Sequence, residues 1–291
     1  MTYSTKRPNT YTLRVSCPAT TGIVAAVTGH LATRGFYISE LSQYDDEETL
    51  RFFMRCTFHV RDPIHDESEV LGPYFGAVAD RFGMQWNLNR TDRHKRVLLL
   101  VSKHDHCLRE LLAQWAAGEL AMDVIGVVSN HPDLESLAAA HGVDFIHLPV
   151  TRETRPAQES QLRKLVADRK VELIVLARYM QILSDDLSRD VSGHCINIHH
   201  SFLPSFKGGS PYAQAHGRGV KLIGATAHYV TGDLDEGPII EQDVRRIDHR
   251  HSVPEMQAMG REVERQVLLR AVRMHLEDRV FIDGNKTVVF S

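Results

Sequence analysis

The rhythm of apolar and polar positions changes near residue 90. Before it, Tyr11, Leu13 and Val15 alternate with polar neighbours across Thr10 to Cys17, the period of a strand with one covered face. Ile23, Val24, Val27 and Leu31 then recur at helical spacing, and Gly35 closes that helix. Two strand-like runs follow, Phe36 to Tyr44 and Leu50 to Val60, with the acidic stretch Asp45-Asp46-Glu47-Glu48 expected as a solvated hairpin turn between them. A helix over Glu67 to Phe82 and a strand over Met84 to Leu88 complete the order β-α-β-β-α-β. That is the ferredoxin-like split βαβ plan, whose open sheet edge favours pairing with another copy.

Asn89 to Arg96 (N-R-T-D-R-H-K-R) is polar and without apolar period, as a linker would be. Beyond it, Val97-Leu98-Leu99-Leu100-Val101 is an unbroken apolar run, expected of a strand covered on both faces. Helical positions Leu108, Leu111, Leu112 and Trp115 follow, then a strand at Val124 to Val128 and a helix over Leu134 to Ala140 that ends at Gly142. A short strand at Phe145 to Leu148, a helix carrying Leu162, Leu165 and Val166, and a buried strand at Leu173 to Leu176 continue the alternation. Strands alternating with helices predict a doubly wound, mostly parallel α/β sheet, which binds ligands beyond the carboxyl ends of its strands. Longer strands are expected at Leu222 to Val230 and Pro238 to Ile247. Ser252-Val253-Pro254-Glu255 reads as a capping box opening a long helix with Val263, Val267, Leu268 and Leu276 inward. Val280 to Phe290, split by Asp283-Gly284-Asn285, reads as a closing hairpin. The expected division is a first domain over residues 8–89, a linker over 90–96 and a second domain over 97–291.

Composition narrows the class. The chain has 291 residues, with 34 Lys and Arg against 37 Asp and Glu, a formal charge of −3 that gives no reason to expect a nucleic-acid or anionic-membrane surface. No window approaches the roughly 20 apolar residues of a membrane span, and the first residues lack the charged-then-apolar layout of a signal segment. Cys17, Cys56, Cys107 and Cys195 are far apart and form no C-x-x-C pair, so the expected compartment is the reducing cytoplasm. Among the 17 histidines, His104-x-His106 and His249-x-His251 have a metal-like spacing. Neither has an evident third ligand in sequence, and no metal is expected.

The chemistry concentrates in two segments. Cys195 to Lys207 reads C-I-N-I-H-H-S-F-L-P-S-F-K, in which Asn197 and His199 share one face of a strand near its carboxyl end. An amide N–H can stabilise the oxyanion formed when a carbonyl becomes tetrahedral, and an imidazole can move a proton near neutral pH. Either residue alone is more often structural. Paired on one face at a strand end, they suit acyl chemistry. His200 is expected to point away and serve packing. In Ala225 to Ile240, a strand carrying His228 runs into a turn holding Asp233, Asp235 and Glu236, then Gly237-Pro238. Acids in a turn are usually only solvated, yet an acting imidazole needs a carboxylate to orient it, and this turn holds the best-placed ones. The following Lys207-Gly208-Gly209-Ser210-Pro211-Tyr212 reads as a mobile glycine-rich rim.

N-I-H-H-S-F-L-P-S-F together with L-D-E-G-P-I-I resembles the folate-dependent formyltransferase fold, which shares an Asn-x-His strand and a Leu-Asp-x-Gly-Pro loop. Carried over by motif position, the resemblance implies a catalytic trio of Asn197, His199 and Asp235, not Asp233. L-A-R-Y-M-Q-I-L (Leu176 to Leu183) is similar to the loop where those enzymes hold the pterin ring. It implies a folate pocket at Met180, Gln181, Ile182 and Leu183, joined by His228, Val230 and Thr231 as the turn Val230 to Asp235 closes over the ring. Glycinamide ribonucleotide formyltransferases carry a Gly-Ser-Asn phosphate turn after the first strand. Here Ser102-Lys103-His104-Asp105-His106-Cys107-Leu108 has no glycine, although Lys103 could attract an anion.

The amino-terminal half resembles an ACT domain, a module that binds amino acids at pairwise interfaces. Its first turn, Cys17-Pro18-Ala19-Thr20-Thr21-Gly22, lacks the acidic-basic pair often found there, which points to assembly. Taken with S-K-x-D-H-C-L and the motifs above, the chain resembles the formyltetrahydrofolate deformylases along nearly its whole length. The resemblance implies hydrolysis of 10-formyltetrahydrofolate to tetrahydrofolate and formate, which feeds one-carbon metabolism and purine synthesis. It implies no cofactor beyond the folate substrate, an amino-acid effector as a candidate partner, and a homo-oligomer held through ACT domains. Two alternatives stay open here: formyl transfer to an amine acceptor, or an amino-acid-sensing ACT protein with an inactive hydrolase half.

Overall fold

The computed structural model describes residues 9–60, 70–72, 74–203 and 211–291, which divide into two units. The first comprises residues up to Arg93 together with Glu277–Phe281 and Val288–Ser291; the second comprises His94–Leu276 and Ile282–Thr287.

In the first unit β1 (Asn9–Pro18), α1 (Ile23–Thr33), β2 (Tyr37–Asp46), β3 (Arg51–Val60), α2 (Tyr74–Phe82) and β4 (Gln85–Arg90) follow one another. The strands form an antiparallel sheet in the order β2-β3-β1-β4, with Leu13 opposite both Cys56 and Leu88. One face carries Leu13, Val15, Met54, Cys56 and Phe58 against Ile23, Val27 and Leu31 of α1 and Phe75 of α2. β3 is buried on its other face too, where Phe53 packs edge-on against Phe281 at 5.7 Å and clusters with Phe290. This double burial explains why β3 reads as an apolar run, not as an alternation.

The second unit contains a seven-stranded sheet in the order β11-β10-β9-β8-β5-β6-β7. Its elements are β5 (Lys95–Val101), α3 (His106–Ala116), β6 (Met122–Ser129), α4 (Glu135–Ala140), β7 (Phe145–His147), α5 (Arg155–Asp168), β8 (Leu173–Leu176), α6 (Asp185–Asp190), β9 (Cys195–His199), α7 (Pro211–Arg218), β10 (Leu222–Tyr229), β11 (Ile239–Arg246) and α8 (Val253–Leu276). β5 to β9 run parallel, while β10 and β11 add antiparallel strands at one edge. Because β5 lies between β6 and β8, the direction of winding reverses there and opens a crevice beyond the carboxyl ends of β5 and β8. The chain closes with the hairpin β12 (Val280–Asp283) and β13 (Lys286–Val289), turned at Gly284 with φ 59°. Among the described residues, no helix is long and apolar enough to cross a membrane.

Several expectations need correction. Asp45 and Asp46 are strand residues, and Asp46 is buried with its carboxylate accepting the N–H groups of Glu48 and Thr49, so it pins the turn that follows. The helix expected over Glu67 to Phe82 is interrupted: Val70 and Leu71 are helical, Gly72 takes φ 68°, and α2 begins at Tyr74. The Gly72-Pro73 pair is the breaker that the periodicity overran, and Glu67 to Glu69 lie outside the described residues, as does residue 8. The expected linker is partly strand, since β4 reaches Arg90 and β5 begins at Lys95. Glu277–Phe281 and Val288–Ser291 belong with the first unit, so the second does not extend unbroken over 97–291. α6 and α7 went unread, although Ser184 caps α6 by accepting from Leu187 N–H at 3.2 Å.

Only half of the capping box forms: Glu255 reaches back to accept the Ser252 backbone N–H at 2.7 Å, while the Ser252 hydroxyl donates to the same carboxylate at 2.7 Å. Leu100 is fully buried in the central strand of the parallel sheet. Leu100→Ala is therefore expected to cost about 2–5 kcal/mol in urea unfolding. A loss under about 1 kcal/mol would contradict the two-sided burial of β5.

Candidate active site

The crevice is assembled by hydrogen bonds among the strand ends. Ser102, the residue after β5, gives its N–H to Arg178 O at 3.2 Å and its hydroxyl to Asn130 Oδ1 at 2.7 Å, and its Oγ accepts Met180 N–H at 2.9 Å. These bonds hold the segment after β8 against the ends of β5 and β6. Arg178 adopts φ 66°, an unusual conformation for a residue with a Cβ.

The reactive groups come from β9, β10 and the turn before β11. Antiparallel pairing sets Asn197 of β9 directly opposite His228 of β10, so both side chains project from one face. Asn197 Nδ2 lies 3.3 Å from His228 Nε2. His228 Nδ1 lies 2.9 Å from Tyr229 O, which can only accept; Nδ1 therefore carries a hydrogen, and Nε2 is left to accept from the Asn197 amide. His199, two residues along β9, places Nδ1 3.2 Å from Asp235 Oδ2, while Asp235 Oδ1 lies 3.7 Å from His228 Nε2. Asp235 takes φ 58°, the left-handed conformation that aspartate tolerates better than most residues. The turn is drawn tight because Tyr229 accepts no Cβ from Gly237: one built there would stand 1.8 Å from Tyr229 O.

These residues share one cavity of about 350 Å³, within the usual range for small-molecule sites. Asn197, His199, His228, Val230, Thr231 and Asp235 line it with Met180, Gln181, Ile182 and Leu183, so every site residue expected from the sequence reaches the same space. Asp233 lines it as well, but Asp235 makes the imidazole contacts. The rim Lys207 to Ser210 lies outside the described residues.

Sequence reasoning missed Arg178 and His200, which also line the cavity. His200 was expected to point away from His199, yet the rings stack at 5.0 Å and 22°. β9 ends at His199, so the period-two rule stops applying one residue before His200. Burial, then the neighbouring Arg178 cation, push the His200 pKa down to about 4. Behind this wall lies Glu264 of α8, 2% exposed, with His106 Nε2 at 2.8 Å, Tyr212 Oη at 3.2 Å and Arg178 Nε at 3.3 Å. Burial would raise the Glu264 pKa, but His106 and Arg178 hold it lowered. His106, Cys107 and Glu264 gather ligand-type atoms within 4.8 Å of one another, so His106 does have nearby partners that sequence spacing did not disclose. The Arg178 cation on the same carboxylate opposes a metal ion there. His251 instead closes a turn on Asp248 at 3.0 Å.

The family described as formyl transferase matches residues 95–272. A formyltetrahydrofolate deformylase from Corynebacterium sp. (strain P-1) is 48% identical over 279 residues, covering 96% of this chain and 97% of the relative. One from Bacillus subtilis (strain 168) is 46% identical, covering 96% and 93%. The crystal structure of a formyltetrahydrofolate deformylase from Burkholderia mallei superposes with a TM-score of 0.93 at 50% identity, covering 98% of this chain and all of that one.

Burial alone would raise the Asp235 pKa, but the hydrogen bond from His199, with His228 also nearby, reverses this and holds it well below its ordinary 3.8. A carboxylate depressed on folding stabilises the protein above its unfolded value, and that contribution is lost as pH falls through the folded one. Asp235→Asn is therefore expected to melt below the wild type at neutral pH, with the gap closing as pH drops below 3.8. A melting gap that widens in acid would contradict an ionised Asp235 between the two imidazoles.

Proposed function

The chain belongs to the formyltetrahydrofolate deformylase family, and from that premise we infer that it hydrolyses 10-formyltetrahydrofolate to tetrahydrofolate and formate. The observation that supports assigning the chemistry to Asn197, His199 and Asp235 is the 3.2 Å contact of His199 with Asp235 in the cavity that Asn197 also lines.

One hydrogen of the Asn197 amide engages His228, leaving the other to donate to the formyl oxygen as it becomes an oxyanion. Asp235 receives His199 Nδ1–H, which orients the ring and stabilises its cation. Nε2 then becomes the position for proton exchange with the substrate. Water adds its oxygen to the formyl carbon and gives one proton to His199 Nε2, with Asp235 helping to position it. The carbon–nitrogen bond breaks, and His199 delivers one proton to the departing nitrogen, which leaves poorly as an anion. The formic acid ionises and releases the second. His228 positions the Asn197 amide.

The pterin ring is received by Met180, Gln181, Ile182 and Leu183 on one side and by His228, Val230 and Thr231 on the other. Met180 and Ile182 are 54% and 56% exposed, apolar surface of the kind a flat heterocycle would cover. No cofactor beyond the folate substrate enters this scheme. The names of the relatives favour water as acceptor over an amine, and over an inactive hydrolase half.

The first unit is read as an ACT domain that serves assembly, supported by its β2-β3-β1-β4 order and by Tyr37 and Tyr44, exposed on edge strand β2. An amino-acid effector is a secondary reading, since the first turn lacks the usual charged pair. The cytoplasm is the compartment assigned, with the formate feeding one-carbon metabolism and purine synthesis.

Incubation with 10-formyltetrahydrofolate and no amine is expected to yield formate and tetrahydrofolate one for one. An absolute requirement for an amine would instead identify a transferase. Asn197→Ala, His199→Ala and Asp235→Asn should each lower kcat by roughly 10²- to 10⁴-fold; near-wild-type formate release by all of them would remove these residues from the mechanism. Light scattering should show an oligomer that Tyr37→Glu with Tyr44→Glu weakens, whereas a wild-type monomer would overturn the assembly role.

A further inference from the structure

Hydrolysis changes the charge of its own substrate group: a neutral formyl enters and a formate anion must leave. The cavity wall is unfriendly to that anion, since Asp185, Asp233 and Asp235 all line it. Among the described residues lining the cavity, Arg178 is the one lysine or arginine. We propose that Arg178 forms a formate-binding site on the wall of the catalytic cavity, a site that rests on the hydrolytic reading above and extends it.

The guanidinium is built into place. Its backbone is held in a left-handed conformation by Ser102 N–H, which donates to Arg178 O at 3.2 Å. Its Nε faces Glu264 Oε2 at 3.3 Å, a charge contact without hydrogen-bond geometry, and the side chain is 11% exposed. Glu264 is itself fixed by His106 and Tyr212. The Tyr212 hydroxyl fits because Gly260 has no Cβ; one would stand 1.9 Å from the oxygen. Among the described residues, no hydrogen bond is made by the Arg178 side chain, so its terminal N–H groups keep the fork that receives a carboxylate through two parallel bonds. Glu264 takes the Nε side and leaves this fork for a ligand.

The location suits the product. Arg178 stands close enough to His200 to depress its pKa, and His200 stacks on His199. Formate released beside His199 therefore meets a cation within the same wall. A three-atom ligand reaches at best a dissociation constant on the order of 1 mM, so the site retains formate only briefly and shows itself as product inhibition.

The test compares inhibition by formate and by tetrahydrofolate in the full-length protein. Arg178→Met should raise the inhibition constant for formate about tenfold or more, as expected for loss of a charge-assisted pair, and leave that for tetrahydrofolate within about twofold. Arg178→Lys should fall between, since lysine keeps the charge but not the fork. Glu264→Gln should bind formate as tightly as the wild type or more so, because Arg178 then shares its charge with no protein anion. Unchanged formate inhibition in Arg178→Met, or weakening in Glu264→Gln equal to that in Arg178→Met, would overturn the site. Line broadening of ¹³C-formate by the wild type and by Arg178→Met reads binding without turnover. A wild type that broadens formate yet releases none from 10-formyltetrahydrofolate would sink the hydrolytic reading, while one that hydrolyses but does not broaden formate would sink this one.

Discussion

The register of β10 on β9 is the constraint on which the cavity depends. Because His228 stands opposite Asn197, an imidazole and an amide from distant segments share one face and one hydrogen bond. A slip of one residue would send His228 to the other face and leave the Asn197 amide without that partner. The register also fixes where the turn after Tyr229 begins, and so where Asp235 returns. Gly237 is part of the same arrangement, since Tyr229 N–H pairs with Pro238 O and the chain passes against Tyr229 O where no Cβ fits. The strained φ of Asp235 follows from bringing a carboxylate back over two imidazoles within so short a turn.

Two acidic groups answer the cost of burial in different ways. Asp235 sits between His199 and His228, partners that can change charge, which suits a group meant to share a proton's work. Glu264 sits deeper, against a permanent arginine cation, an imidazole and a hydroxyl. A buried carboxylate held by two donors and a neighbouring cation is a fixed feature, and removing one of the three would leave the others facing an under-compensated charge. The first arrangement is suited to chemistry and the second to holding a wall in place. They meet at the stacked pair His199 and His200.

The sequence disclosed what local periodicity and short motifs can carry. The unbroken run at Leu98 to Val101 forecast a strand covered on both faces, and the alternation around Asn197 and His199 put both on one side. The Leu234-Asp235 spacing singled out the carboxylate that reaches His199. What stayed hidden was set by how the chain closes on itself, locally at one turn and over long separations elsewhere. Asp46 looked like a solvated turn residue because the buried acceptor role it plays depends on how the hairpin closes. Glu264 looked like one more acid on a long helix, since the His106 that pairs with it lies 158 residues away. Arg178 was read only as part of the loop similar to one that holds a pterin ring, although a cation two residues past a buried strand was a signal in itself.

The pairing of His199 with His200 shows why two adjacent imidazoles need not behave alike. His199 faces a carboxylate at 3.2 Å, which orients the ring through its Nδ1–H. His200 faces the Arg178 cation in a buried position, which favours the neutral ring. Were both rings cations, their stacking at 5.0 Å would set like charges face to face. Placing an anion beside one and a cation beside the other removes that conflict, so one imidazole can take up and give back a proton while its neighbour stays uncharged. A site of this kind separates acid-base work from packing within two consecutive residues, and it does so through groups on β10, on the segment after β8 and on α8 that no reading of the two histidines alone could supply.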